Sequence, residues 1–154
     1  MTGLTLRPAA VTDPAVRGLI EVHLRDMHGL SPAESVHALG AEALDAQSVE
    51  LWGAWDDAEL AGVGALAALD EVRGELKSMR VADEYRGRGV GRLILRHLIE
   101  RARRLGMTSL WLETGTAPAF SPARGLYLSE GFVFCEPFGD YAPDPHSVFL
   151  TRSV

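Results

Sequence analysis

Apolar and polar positions alternate over Leu4-Thr5-Leu6-Arg7, which predicts a short first strand. Thr12-Asp13-Pro14 then supply a helix N-cap with proline near the first helical position. Val16, Leu19, Ile20, Val22, Leu24 and Met27 recur at helical spacing to about His28, where Gly29 and Ser31-Pro32 stop the helix. A second short helix is expected from Ala33 to Leu44. Val49 to Trp55 and Glu59 to Leu69 flank the turn signal Asp56-Asp57 and predict a hairpin. Its second arm is rich in Ala and Gly, so its strand pattern is the weaker one. Glu71 to Val81 continues as a strand. Gly87 to Leu105 carries the clearest helical face, on Val90, Leu93, Ile94, Leu98 and Ala102, and Gly106 ends it. Thr108 to Thr114 predicts a strand, Ser121-Pro122 open a helix to Glu130, and Gly131 closes it. Phe132 to Cys135 and Val148 to Thr151 are the last two strands, joined by a polar, proline-containing loop.

The passage strand–loop–helix–strand over 71–114 requires a right-handed parallel crossover inside an otherwise antiparallel sheet. The fold class expected is therefore α/β, a mixed sheet with helices on both faces, in one domain over 1–154. Composition agrees with a globular domain, 47% apolar and 23% charged. No stretch approaches the ~18 apolar residues of a membrane span, and Met1 to Arg7 lacks a basic segment followed by an apolar one. Neither a membrane association nor a secretory leader is expected. A lone Cys135 fits a reducing, cytoplasmic setting.

The net charge of -6 is unevenly placed. Between Arg73 and Arg104 stand ten Lys/Arg and four Asp/Glu, a local balance of +6 that leaves -12 elsewhere. Such a split suits either an anion docking at mid-chain or a solvated helix face that uses arginine. Within it lies Arg86-Gly87-Arg88-Gly89-Val90-Gly91. Alternating glycines permit positive φ and close backbone approach. The unpaired amides of the helix start behind them favour a phosphate or pyrophosphate. Arg86, Arg88 and Arg92 add charge at the end of the helix where the dipole disfavours it, unless an anion sits there. The spacing is not that of a dinucleotide fingerprint, and no Gly-Lys-Ser/Thr follows. A ligand-free glycine lead-in to the helix is the other reading.

The strand Gly74 to Val81 followed by Arg86-x-x-Gly89-x-Gly91 resembles the acetyl-coenzyme A signature of the GNAT superfamily, Gln/Arg-x-x-Gly-x-Gly/Ala. Leu126-Tyr127, with Gly131-Phe132 after them, resembles that superfamily's second signature, and the element order matches over essentially the whole chain. Pro137-Phe138-Gly139-Asp140-Tyr141, with Asp144-Pro145 and Ser147-Val148-Phe149, resembles a subgroup of small bacterial members.

The resemblance implies an N-acetyltransferase that uses acetyl-coenzyme A as co-substrate, without a metal. Its acceptor would be an amine of a small molecule or a protein. A non-catalytic acyl-CoA-binding regulator of the same fold is the alternative. The cofactor is expected in a splay between the fourth and fifth strands. Its pyrophosphate would lie on the loop amides of about Arg88, Gly89, Val90, Gly91 and Arg92, with Arg86 and Gly87 also binding the cofactor, and its pantetheine arm along Met79, Arg80 and Val81. An acceptor amine of pKa about 10.4 costs roughly 4.6 kcal/mol to deprotonate at pH 7, so a general base is useful. Glu75 stands where GNAT histone acetyltransferases carry a catalytic Glu, although it can equally pair with a neighbouring cation. Glu113 and a water relay are the other options. Tyr127 matches the general acid that protonates the leaving thiolate; packing in the core is its alternative. Phe120 departs from the pattern, because many members carry a cofactor-contacting Asn there.

The loop Glu136 to Ser147 places acids beside aromatics, a combination that suits a cationic amine, so Asp140 and Tyr141 are candidate acceptor contacts. A solvated loop fixed by its prolines is the alternative. His23, His28 and His37 sit in the first helical region, which the resemblance puts on the acceptor side; they show no metal-ligand spacing and are read as surface or packing residues, with substrate contact the alternative. Cys135 reads as a core strand residue, not a nucleophile. A pI of 5.3 and the lack of an aromatic-basic surface pattern argue against nucleic acid. A monomer or a homodimer is expected.

Overall fold

Each strand foreseen from the sequence is found in the computed structural model, which describes residues 3–32, 40 and 48–154. The helix expected over 33–44, and His37 with it, falls almost wholly outside them. The strands are β1 (Leu4–Pro8), β2 (Val49–Asp56), β3 (Glu59–Ala68), β4 (Arg73–Val81), β5 (Ser109–Gly115), β6 (Val133–Cys135) and β7 (Ser147–Ser153). The described α-helices are α1 (Pro14–Leu30), α2 (Val90–Arg104) and α3 (Ser121–Ser129). Asp13 caps α1 by accepting from the Ala15 amide at 2.9 Å. Helix α2 begins at Val90 and not at Gly87, because Gly87 (φ 77°) and Gly89 (φ 79°) are left-handed and stand outside the helix.

The seven strands form one sheet in the order β1-β2-β3-β4-β5-β7-β6. Every pairing is antiparallel except β4 with β5. That parallel pair is the crossover through α2, as the sequence required. The core lies on both faces. On one, α1 packs Val16 and Ile20 against Leu51, Val63 and Ala65. On the other, Ile94, Leu98 and Ala102 of α2 pack against Leu66, Leu76 and Leu110. The glycines Gly62 and Gly64 of β3 are explained by this second contact. A Cβ on Gly64 would lie 2.7 Å from Ile94 and 2.7 Å from the Met79 sulfur, so only glycine lets α2 approach this closely.

Candidate active site

Strands β4 and β5 are in register only from Arg73↔Ser109 to Glu75↔Trp111. Beyond that pair β4 runs on to Val81 and β5 to Gly115 without meeting. β4 is also bulged: Val63 and Ala65 of β3 face Arg80 and Lys77, so three steps on one strand match two on the other. The bulge sits at Ser78, a non-glycine residue at φ 54°. A strand that turns away from its parallel neighbour leaves backbone groups free to meet a ligand. Two cavities open in the resulting wedge, and they share Met79, Ala123 and Tyr127.

The first is a groove of about 540 Å³ running from Met79-Arg80-Val81 to Gly87, Gly89, Val90, Gly91 and Arg92. A Cβ on Gly87 or Gly89 would meet nothing within 4 Å, so space is open in front of both. Left-handed glycines, open space and the unpaired first amides of α2 fit a diphosphate. The arginines there are less frustrated than the sequence suggested. Arg86 pairs with Asp83 at 3.0 Å and Arg92 with Glu130 at 2.7 Å, so carboxylates already offset two of the three charges. Arg88 has no carboxylate partner among the described residues and lies over the Tyr85 ring at 5.3 Å.

The second cavity, about 120 Å³, is reached past the bulge. Glu75 is buried on its wall and is engaged twice at Oε2. It accepts from the Tyr141 hydroxyl at 2.6 Å and from Lys77 Nζ at 3.1 Å, while Lys77 also donates to the Tyr141 oxygen at 2.9 Å. Oε1 of Glu75 accepts no hydrogen bond among the described residues. Across the cavity, Glu113 accepts from the Ser147 hydroxyl at 2.8 Å. Tyr141 is carried here by the loop before β7, which packs Phe138 and Tyr141 on Phe149 and Phe138 on Trp111. Burial and the bond to the Glu75 carboxylate push the Tyr141 phenol far above its ordinary pKa.

Tyr127 stands where the two cavities meet. It is buried on α3 against Phe132, and burial alone pushes its pKa well up, so it stays protonated at neutral pH. His23 of α1 also lines the small cavity. Burial first, and then the charge of Arg80, hold its pKa down to about 4, with Asp26 opposing. Its Nδ1 and the hydroxyl of Ser78 are buried with no hydrogen-bond partner.

The wedge thus brings together Glu75, Met79, Tyr127 and Tyr141, and the glycine loop closes its other end. Asp140 is left out: it is exposed and does not line the cavity. His28 is exposed, and Cys135 lines neither cavity. His23, read as a packing or surface residue, lies on the cavity wall. Lys77 and Ser147 were not singled out. Lys77 had a readable signal, since residues two apart on a strand share a face with Glu75. Among the described residues no group of three or more His, Cys, Asp or Glu could hold a metal, and no helix is long and apolar enough to cross a membrane.

Known proteins of the same make-up point one way. Residues 16–132 match the Acetyltransferase (GNAT) family. An uncharacterized N-acetyltransferase of Bacillus subtilis is 47% identical over 144 residues, 94% of this chain and 95% of that protein. A Klebsiella pneumoniae chain named as an acyl-CoA N-acyltransferase superposes with TM-score 0.80 at 27% identity, over 97% of each chain. A GNAT family acetyltransferase of Elizabethkingia anophelis, with acetyl-CoA bound, superposes with TM-score 0.73 at 21% identity over 100% of each chain, and shares the fold.

Proposed function

The chain belongs to the GNAT acetyltransferase family, and we propose that it moves an acetyl group from acetyl-coenzyme A directly onto a primary amine of a small molecule or protein. The observation that carries this reading is the junction at Met79, Ala123 and Tyr127, where the groove along the glycine loop meets a small cavity with a buried carboxylate. A pure acyl-CoA binder would need only the groove.

When bound, the co-substrate supplies an acetyl group activated as a thioester. The loop amides from Arg88 to Arg92 would hold its diphosphate, with Arg86 and Gly87 leading in. The free edge of β4 from Met79 through Arg80 to Val81 would pair with its amide-bearing arm. A β4 amide exposed by the bulge would donate to the thioester carbonyl.

Glu75 is the proposed general base. Lys77 and Tyr141 fix one of its oxygens and leave the other for the amine proton. Glu113 is the second candidate, and its bond from Ser147 makes it less available. Tyr127 gives its proton to the departing sulfur; its burial keeps that proton in place until then. Tyr141 touches the acceptor, and Asp140 contributes only long-range charge.

An amine panel assayed by release of free coenzyme A tests the reading. At least one primary amine is expected to raise release well above the solvent background, and Glu75→Gln should remove most of that increase. Tight acetyl-CoA binding with no amine-dependent release would favour the regulatory alternative.

A further inference from the structure

We propose that Phe120 limits the length of the transferred acyl group, so that the site accepts acetyl and rejects chains two carbons longer. This rests on the acetyltransferase reading above. At the junction of the two cavities an acyl group would project past Tyr127 into the smaller one. That cavity, about 120 Å³, must hold the acyl group and the acceptor nitrogen together.

The apolar part of its wall is Leu76 of β4, Leu112 of β5, Phe120 before α3, and the methionines Met27 and Met79. The methionines are unbranched and can shift to admit extra atoms. Phe120 cannot. Its ring occupies the space over Gly115, where a Cβ would stand 2.3 Å from two ring carbons. Retreat toward β5 is therefore closed by backbone. The turn that carries it is clamped as well, since Arg124 donates to the carbonyls of Gly115 at 2.7 Å and Ala117 at 3.1 Å. Phe120 is buried, between this cavity and the groove lined by His23, Asp26 and Arg80. The same position that departs from the family pattern thus puts a buried aromatic ring, backed by the Gly115 backbone, on the wall beside Leu112. One methylene too many in an apolar pocket costs about 10-fold or more in discrimination.

The test is calorimetric binding of free coenzyme A, acetyl-CoA and butyryl-CoA to the wild type, Phe120→Ala and Phe120→Leu, each checked for folding by circular dichroism. Butyryl-CoA is expected to bind the wild type at least about 10-fold more weakly than acetyl-CoA, and Phe120→Ala should bring the two within about 3-fold. Phe120→Leu keeps most of the apolar packing and should give a smaller change in the same direction. Equal affinities in the wild type, or a ratio unchanged in folded variants, would overturn the proposal. Failure of free coenzyme A to bind at all would overturn the acetyltransferase reading beneath it.

Discussion

Tyr127 and Glu75 are both buried, and their surroundings differ in the way the opposite roles proposed for them require. Tyr127 has an apolar neighbourhood that opposes ionisation, which suits the proposed proton donor. Glu75 receives an ammonium and a phenol at one oxygen, which leaves the other oxygen as an acceptor. Breaking a buried pair by removing one partner typically costs 3–5 kcal/mol, so Lys77→Ala would lower stability and activity together and cannot separate the roles. Tyr127→Phe can. It deletes one hydroxyl and keeps the ring on Phe132. General acid catalysis is worth about 10²–10⁴-fold. A thiol of reference pKa about 8.5 leaves readily on its own, so the loss in kcat belongs near 100-fold. The Kd of acetyl-CoA should stay within about 3-fold, because the hydroxyl is proposed to act on the departing sulfur and not on the bound ground state. Steady-state kinetics beside calorimetry check both halves, and a fully active Phe variant would remove Tyr127 from the chemistry.

The elements most legible in the sequence were those whose pattern is local. Helix α2 announced itself through apolar positions three and four apart, and the glycine loop through its spacing. β3 was faint because Gly62 and Gly64 serve the approach of a helix from another part of the chain, which no alternation within the strand records. The wedge could be expected only by family resemblance, since the point where β4 and β5 cease to pair is a fact about two strands and not about either one. Tyr141 reaches Glu75 across 66 positions, and nothing local told it apart from exposed Asp140 one residue earlier. The glycine loop admits a direct test of the element it opens. Gly89 caps α2 at φ 79° with open space before it, so Gly89→Asp brings backbone strain of about 1–2 kcal/mol and no clash. The fold should survive. The new carboxylate would face the proposed diphosphate site, and calorimetry is expected to show acetyl-CoA affinity falling about 100-fold or beyond detection. Unchanged affinity in a folded variant would move the diphosphate elsewhere.

For the molecule as a whole, the site depends on α1 staying on its face of the sheet. Asp26 of α1 pairs with Arg80 of β4, and Arg80 lies within 3.8 Å of Asp83, which in turn holds Arg86 of the glycine loop. His23 is buried beside this chain of charges, neutral, with Nδ1 unpartnered. Its pKa of about 4 in the fold lies below the value of about 6.5 in an unfolded chain. Above pH 6.5 both states hold a neutral imidazole and His23 contributes no pH dependence. As pH falls from 6.5 toward 4, the unfolded chain takes up a proton that the folded one refuses. Stability is then lost at up to about 1.4 kcal/mol per unit, roughly 3 kcal/mol over the window. Below pH 4 the folded form is protonated as well and the loss is complete. Carboxylates add their own acid sensitivity, so the useful quantity is a double difference. Urea unfolding of the wild type and His23→Gln at pH 7.0 and 4.5 should show the wild type losing about 2–3 kcal/mol more than the variant between the two pH values. At pH 7.0 alone the variant can be the less stable protein without affecting that comparison. Equal losses in the two proteins would mean that His23 takes its proton without leaving the fold, and that the contact between α1 and β4 tolerates the charge.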